Sequence, residues 1–217
     1  ILDQGSDRTA IEGVTITGDG GSAFGGTGVE INTGSNFEFD ANAESYSEAS
    51  VIENVDEGLL IESAGTLNNP NNEIRFTEFT GISGDGGSND AAIDINSDIG
   101  NIVLDRVNVS SDGTTPAPDG VLYRAGDDNL TISNSDLGQG GQDNNGNSLN
   151  ALGDGIVINT SAGAVDITSD NDIGVQSDGS PAVDAIRVND SSVSGGVTIT
   201  DVDIDGDDTA DTDGIFI

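Results

Sequence analysis

The chain has 217 residues, of which 40 are acidic and 5 are basic, and its formal net charge is -35. This charge argues against nucleic acid and anionic membranes as partners, because phosphate binding needs clustered Lys and Arg. The chain contains no Cys and no apolar run of membrane-spanning length, so neither disulfides nor membrane insertion is expected.

One short strand motif recurs along the chain: a small residue, then an apolar residue, any residue and a second apolar residue. The intervals between successive copies are 30, 34, 28, 35, 30 and 29 residues, which average 31. The seven copies begin at Gly28, Gly58, Ala92, Gly120, Gly155, Ala185 and Gly214.

A second apolar motif strictly alternates with the first, and in most copies a further apolar residue follows five or six positions on. Apolar residues at alternate positions indicate strands with one buried face. Strands this short cannot bury that face alone, so the copies must stack on one another. The copies of this motif begin at Ile11, Phe37, Ile74, Ile102, Leu130, Val165 and Val197.

These periods predict an all-β fold, a right-handed parallel β-helix (solenoid) of about seven coils with roughly 31 residues per coil. Residues 1–217 are expected to form a single β-helix domain. At about 4.8 Å per coil, the rod would be on the order of 34 Å long. An antiparallel sandwich is the alternative, but it does not explain why the same strand returns at this interval. Disorder, a second alternative for an acidic chain, does not explain the clustered β-branched residues.

The alternation also predicts which side chains face the core and which face solvent. Glu30, Asp94 and Arg187 are expected in solvent. Residues 64–73 and 138–147 are predicted loops, and the register of residues 41–50 is not assigned. The predicted core includes Val29, Ile31, Phe76, Ile93, Ile95, Leu104, Ile132, Ile156, Ile158, Ile167 and Ile199.

Asn follows the first strand in four coils, and these side chains are expected to stack at a corner and hydrogen-bond along the rod axis. The four residues are Asn32, Asn96, Asn159 and Asn189. This pattern predicts a structural role.

Stretches such as GVLYRAGDDNLTISNSDLG (120–138) and GIVINTSAGAVDITSDNDIG (155–174) resemble the parallel β-helix repeats of the pectin-lyase-like superfamily. The resemblance covers nearly the whole chain. It implies the fold but not one function, since such coils occur in enzymes, tailspikes and adhesins alike.

The resemblance also allows a test for enzymatic residues. Polysaccharide-cleaving members of that superfamily typically use an Arg or Lys beside calcium-binding Asp residues, or several Asp with a His and an Arg-x-Lys pair. The second set is excluded because the chain has no His and no Lys. Asp127-Asp128 resembles a paired catalytic carboxylate but is interpreted as a solvated turn, and the arginines are expected to pair with acidic neighbours. We therefore expect no enzymatic activity, with no catalytic residues and no organic cofactor.

Acidic residues form a second regular pattern, which raises the question of calcium. An acidic residue precedes the first strand in five coils; four of these coils are consecutive, so their carboxylates would stack and repel one another. Bound cations or splaying into solvent would relieve the repulsion, and calcium prefers such oxygen ligands. The segment 201–206 resembles the start of a calcium loop but lacks its acidic twelfth residue; the alternative is a strand with a polar outer face. The candidate metal ligands are Asp119, Asp154, Asp184, Asp213, Asp201, Asp203 and Asp205.

The sequence thus predicts an extracellular or cell-surface β-solenoid with a structural or adhesive role, such as a surface adhesin, sheath or filament subunit. Abundant Asp without Lys is typical of marine or halophilic proteins. The alternatives are a carbohydrate-active lyase or hydrolase and a carbohydrate-binding β-helix, for which polysaccharide would be the partner.

The last strand reaches Ile217 without a polar cap. Two partners are therefore expected for that edge: the rest of a longer chain, or a second copy stacked head to tail.

Overall fold

The structure is a computed structural model in which the chain folds as a parallel β-solenoid. Three seven-stranded sheets run along it, and each sheet takes one strand from every coil. All strand pairs within the described residues are parallel, which excludes the antiparallel sandwich. The described residues are 9–18, 26–31, 37–39, 45, 48–62, 72–84, 90–96, 100–113, 118–124, 128–138, 152–159, 163–175, 183–189, 193–206 and 212–217.

The strands belong to the three sheets in strict rotation. Sheet 1 contains β1 (Thr9–Ile11), β4 (Phe37–Phe39), β7 (Asn72–Arg75), β10 (Ile102–Asp105), β13 (Leu130–Ser133), β16 (Val165–Thr168) and β19 (Val197–Ile199). Sheet 2 contains β2 (Thr15–Thr17), β5 (Val51–Glu53), β8 (Glu78–Ile82), β11 (Asn108–Ser111), β14 (Asp136–Gly138), β17 (Asn171–Val175) and β20 (Val202–Gly206). Sheet 3 contains β3 (Thr27–Ile31), β6 (Glu57–Ile61), β9 (Ala91–Ile95), β12 (Asp119–Tyr123), β15 (Ile156–Ile158), β18 (Val183–Val188) and β21 (Thr212–Phe216).

The core is a set of apolar columns, one residue from each coil. In sheet 3, for example, Val121 pairs with Ile93 on one side and Ile156 on the other, and all three are fully buried. The predicted core is confirmed, with two differences. Ile199 is only partly buried because its strand lies at the edge of sheet 1, and Phe76 lies outside the main cluster.

Phe76 is buried as predicted, at 7% exposure, but it is not the end of a strand. Strand β7 ends at Arg75, and Phe76 adopts a left-handed backbone with φ 45°. It begins the short turn from sheet 1 to sheet 2, where Arg106 and Asn134 have φ 56° and 51° in the next two coils. The apolar spacing of Ile74 and Phe76 imitates strand alternation, but the chain turns at this position in this coil and in the two that follow it.

A column of buried polar side chains follows this turn. The Ser135 hydroxyl accepts the N–H of Val107 at 3.1 Å, and the Asn171 side-chain oxygen accepts the N–H of Ser135 at 3.0 Å. In the first two coils, the Ser50 hydroxyl, just before β5, accepts the N–H of Val14, just before β2, at 3.1 Å. Backbone N–H groups that the turn takes out of the sheets are thereby satisfied from the neighbouring coil.

The predicted asparagine ladder at the end of sheet 3 is wrong. Asn96, Asn159 and Asn189 continue the sheet through their backbone N–H groups, for example from Asn159 to the Tyr123 carbonyl at 2.9 Å. Their side chains are exposed, and no hydrogen bond joins them within the described residues. Arg124 occupies the position between Asn96 and Asn159, which interrupts the column; Asn32 lies outside the described residues.

Parts of the predicted loops also belong to strands. Asn72 and Glu73 begin β7, and Gly138 ends β14, while the rest of both loops lies outside the described residues. After the unassigned residues 41–50, the chain contributes β5 to sheet 2, with Ile52 fully buried.

Candidate functional site

The predicted acidic ladder lies on the outer face of sheet 3. Asp119 pairs with Ala91, and Asp184 pairs with Asp213, so these positions form one column along the rod. A second outward column lies three residues further along each strand and contains Asp94, Leu122, Val157 and Arg187. The side chain of Asp213 lies outside the described part of the structure.

The ladder carboxylates bind backbone groups of the next coil. Asp119 Oδ1 accepts the N–H of Asp154 at 3.0 Å. Asp154 Oδ1 in turn accepts the N–H of Asp184 at 2.7 Å. Each bond joins residues about one coil apart, so the acidic side chains extend the hydrogen bonding of sheet 3 beyond its backbone pairs.

Arg187 supplies the countercharge to this ladder. Its Nη1 lies 2.9 Å from Asp154 Oδ2, and its Nη2 donates to Asp154 Oδ1 at 3.0 Å. Its Nε donates to Asp184 Oδ2 at 2.6 Å. One guanidinium therefore bridges two buried carboxylates from consecutive coils, and it binds one of them, Asp154, through two nitrogens as in the strong bidentate Arg–carboxylate pair.

This arrangement corrects two predictions. The described ladder carboxylates do not splay into solvent, and Arg187 offsets one of the two negative charges of Asp154 and Asp184; cation binding by this ladder stays a prediction. Asp94 was expected in solvent but is 3% exposed, and Arg124 pairs with it, its Nε donating to Asp94 Oδ1 at 3.2 Å. Arg187 is likewise turned onto its neighbours, with 24% of its side chain exposed.

The physical reason is that the outer face of sheet 3 is itself covered over its middle coils. Leu122, Val157 and Ala91 form a second apolar cluster there and are at most 4% exposed. Acidic residues beside this cluster lose water, so each needs a hydrogen-bond donor or a proton.

Burial changes the acidity of the ladder. It raises the pKa of Asp119 to about 7, and the negative charge of Asp154 adds to the effect. Burial also raises the pKa of Glu57, in the same column, to about 7, although a hydrogen bond from Thr27 opposes this. The pKa values of Asp94 and Asp154 are raised for the same main reason, despite their arginine partners.

The other predicted metal ligands lie on a different face of the rod. Asp201 and Asp203 line an open groove of about 490 Å³ on the outside of sheet 2. Within it, Asp203 pairs with Asp172, and Asp172 pairs with Asp136, so three carboxylates follow one another along the rod. Burial and the charge of Asp172 raise the pKa of Asp136 to about 6.

The two predicted metal clusters therefore do not converge. Asp119, Asp154 and Asp184 lie on sheet 3, whereas Asp201 and Asp203 lie at sheet 2. The side chain of Asp205 lies outside the described part. Among the residues that the structure describes, no group of three or more carboxylates is arranged to hold a metal ion.

Asp128, from the Asp127-Asp128 pair that resembles a catalytic pair, makes hydrogen bonds to the backbone and to a tyrosine. Asp128 Oδ2 accepts the N–H of Gly100 at 2.7 Å. Its carbonyl accepts the Tyr123 hydroxyl at 2.9 Å and the N–H of Gly163 at 2.9 Å. Asp128 therefore ties three coils together at a turn, and Asp127 lies outside the described residues.

Asp105 is a polar centre that sequence reasoning missed. It is 8% exposed and accepts from Arg75 at 3.2 Å, from Ser133 at 3.1 Å and from Asn134 at 2.7 Å, and it pairs with Arg106. The signal is present in the sequence, since Arg75, Asp105 and Ser133 share one column of sheet 1 at the coil interval. The expectation that arginines pair with acidic neighbours is confirmed for Arg75, Arg106, Arg124 and Arg187.

Comparison with known proteins adds no family to this description. No family model, curated protein or solved structure matches the chain. Within the described ranges, no helix is both long enough and apolar enough to cross a membrane.

Proposed function

We propose that the chain is a structural or adhesive β-solenoid of an extracellular protein, such as a surface adhesin, a sheath or a filament subunit. One observation carries this proposal: on each of the three sheets, charged side chains form hydrogen bonds from one coil to the next.

These bonds recur along the rod and on all three sheets. Thr17 donates to Glu53 at 2.8 Å on sheet 2, and Thr27 donates to Glu57 at 2.8 Å on sheet 3. On sheet 1, Arg75 donates to Asp105 at 3.2 Å. A catalytic site needs ionisable groups free to reach a substrate, whereas these groups are engaged in stacking coils.

The aromatic residues support the same proposal. Phe39, Phe79 and Tyr123 are fully buried, and Phe76 is 7% exposed, with the guanidinium carbons of Arg75 and Arg106 at 5.6 and 5.1 Å from its ring centre. A row of exposed aromatic rings for stacking sugars is therefore missing from the described part of the chain.

The proposed location rests on charge. At -35, the chain repels itself strongly in dilute solution, and salt shortens the reach of that repulsion to about 3 Å at 1 M. A saline exterior, such as that of a marine or halophilic cell, suits this surface. The parallel coils are compatible with the resemblance to the pectin-lyase-like superfamily, and membership of its non-enzymatic type is part of the proposal.

The proposal is tested by separating stability from carbohydrate chemistry. In Arg187→Gln, two buried carboxylates lose their countercharge, so we expect a loss of about 3 kcal/mol or more in the free energy of unfolding. Arg106→Gln is the control, because that side chain is 38% exposed and its loss should cost less.

Both variants and the wild type are then incubated with neutral, uronic and sulfated polysaccharides. We expect neither binding nor new reducing or unsaturated ends from any of the three proteins. Product release by the wild type, abolished in Arg187→Gln without a loss of stability, would overturn the proposal in favour of a carbohydrate-active enzyme. Antibody labelling of intact source cells tests the surface location.

A further inference from the structure

The motif Asn-x-Ser/Thr, where x is not Pro, occurs at two places where the structure describes all three residues. One is Asn129-Leu130-Thr131, which runs into β13, and the other is Asn108-Val109-Ser110, which lies in β11. In secreted proteins this motif is the acceptor for N-linked glycans. A glycan is bulky and polar, so exposure decides which copy can carry one in the folded chain.

The first copy presents its reactive residues to solvent. Asn129 is exposed and Thr131 is half-buried, while Leu130 between them is fully buried. Because side chains alternate along a strand, the amide of Asn129 and the hydroxyl of Thr131 lie on the same outer side of sheet 1. The motif needs these two groups together, and the fold supplies both on one surface.

The second copy is buried throughout. Asn108 is 1% exposed, Val109 is fully buried and Ser110 is 5% exposed. In sheet 2, Asn108 lies between Glu78 and Asp136 of the neighbouring coils. A sugar on Asn108 would have to be accommodated in closely packed surroundings, which have no space for it. The two copies therefore have the same motif and opposite accessibility.

The Asn129 side chain is held by its oxygen. Asn129 Oδ1 accepts the N–H of Ala164 at 2.7 Å, and the Ala164 carbonyl accepts the N–H of Leu130 at 2.9 Å. Within the described part of the chain, the Asn129 Nδ2 makes no hydrogen bond. A glycan is attached to that nitrogen, so both bonds would survive the modification.

The column of Asn129 also leaves space for a sugar. Ala164 and Gly196 occupy this column one and two coils further on. They have the two smallest side chains, and a Cβ added at Gly196 would meet no atom within 4 Å. A first sugar on Asn129 could therefore extend along the rod without displacing a side chain of this column.

We propose that Asn129 is an N-glycosylation site, whose side-chain amide takes an oligosaccharide from a lipid-linked donor, and that Asn108 stays unmodified in the folded chain. In the transfer, a bond forms between Asn129 Nδ2 and the anomeric carbon of the first sugar. The bond from that carbon to the donor's phosphate oxygen breaks, the lipid phosphate leaves with the electron pair, and Nδ2 loses one proton. This inference rests on the extracellular location in the proposed function.

The test is mass spectrometry of the protein isolated from source cells. Trypsin cleaves after Arg, which places Asn108 in the peptide 107–124 and Asn129 in the peptide 125–187. Fragmentation that leaves the sugar attached then assigns it to one residue. We expect a glycan on Asn129 and none on Asn108. An unmodified Asn129, or a glycan on Asn108 in the folded protein, would overturn the proposal.

Two variants at Thr131 separate the motif from the fold. Thr131→Ser keeps the hydroxyl and should keep the glycan. Thr131→Val keeps Asn129 and a strand-forming residue but has no hydroxyl, so the glycan should be lost. Urea unfolding verifies that both variants are folded. A glycan that persists in Thr131→Val would show that a different chemistry modifies Asn129, and the assignment would be wrong.

The glycan and the proposed function can fail separately. Antibody labelling of intact cells whose protein has an unmodified Asn129 would overturn the glycan and leave the surface location standing. Cells that stay unlabelled would overturn the extracellular location and, with it, the modification.

Discussion

The repeated motif of sheet 3 begins with Gly or Ala, for example Gly155 and Ala185. A side chain at this first position faces a neighbouring strand of sheet 2. A Cβ added at Gly155 would lie 2.5 Å from the Ala185 carbonyl oxygen and closer still to Ile173 Cγ2. At Gly214, in the same column but at the edge coil, the nearest atom would be Ile204 Cδ1 at 3.9 Å. The requirement for Gly therefore depends on the coil.

We predict that Gly155→Ala lowers the free energy of unfolding by about 1–3 kcal/mol, because a backbone carbonyl and a packed isoleucine would have to move. Gly214→Ala should leave stability within about 0.5 kcal/mol of the wild type, since nothing obstructs the added methyl group. Urea unfolding followed by circular dichroism measures both. Equal losses in the two variants would show that the contacts with Ile173 and the Ala185 carbonyl do not govern this position.

Residue-level prediction from the sequence worked where alternation alone decides the side-chain direction. Val29, Ile95 and Ile158 are buried as predicted. It missed the turn at Phe76, although that side chain is buried as predicted, and it placed Asp94 wrongly in solvent. The turn after sheet 1 needs a left-handed residue, for which a phenylalanine gives no signal, and the covered outer face of sheet 3 depends on contacts that no local pattern reports.

Between strands, the acidic ladder of sheet 3 links stability to pH. Asp119 ordinarily has a pKa of about 3.9, and in the folded chain burial raises its pKa to about 7. Between these values the folded state holds a proton that the unfolded state has released. Stability therefore falls as pH rises from about 4 to about 7 and levels off above that range. Glu57, whose pKa is also raised to about 7 by burial, contributes with the same sign.

We predict a higher urea midpoint at pH 5 than at pH 8. Asp119→Asn stays uncharged and can still accept the Asp154 N–H, so it should be more stable than the wild type at pH 8 and show a smaller pH dependence. Asp203→Asn removes one charge at an exposed position and controls for the general benefit of lowering the negative charge. An unchanged pH dependence in Asp119→Asn would mean that this carboxyl is ionised in the fold at pH 5.

The ladder shows how far an element can be predicted. Its stacking followed from the coil interval, because acidic residues at one position of a repeat must share a column. Its neutralisation did not, since Arg187 lies three residues after Asp184 and was assigned to the solvent side of its strand. Strand alternation is broken at the small residue Ala185, so Asp184 and Arg187 both face outward although they are three residues apart. Their two columns are therefore close enough for Arg187 to bridge Asp184 and Asp154 of the preceding coil.

For the molecule as a whole, the net charge of -35 produces a self-repulsion that opposes the compact state. The groove on sheet 2 concentrates five carboxylates, from Asp136, Asp170, Asp172, Asp201 and Asp203, without a basic residue in its lining. Unit charges about 4.8 Å apart repel by roughly 0.9 kcal/mol in water. Salt relieves this cost by screening, and a bound divalent ion would relieve it by neutralisation.

We predict that the melting temperature rises between 0.05 and 1 M NaCl, since the Debye length falls to about 3 Å at 1 M. The triple variant Asp136→Asn, Asp172→Asn and Asp203→Asn should show a smaller rise. A control with the same charge change at dispersed exposed positions is Glu12→Gln, Glu62→Gln and Asp112→Asn. Calcium compared with NaCl at equal ionic strength tests the ion prediction: extra stabilisation that chelator reverses, lost only in the groove variant, would place calcium there.

The fold itself could be predicted because it is encoded many times. Seven copies of two motifs agree on one interval, so an irregular copy, such as the one before Val51, does not change the result. The site is encoded once. Arg187, Asp105 and Asn171 each act in a single network, and a repeat-based argument has no second copy from which to infer their contacts.

Column continuity also affects how such a chain can change length over evolutionary time. Ile156 and Ile158 hold the same places as Ile186 and Val188 one coil later, and Asp154 has the place of Asp184. A gene duplication or deletion that spans one whole interval therefore joins equivalent points and keeps each remaining side chain on its face. An insertion of one residue inside a strand would instead reverse inside and outside for the remainder of that strand. Selection on this architecture should thus lengthen or shorten the rod by entire coils, in steps of about 4.8 Å.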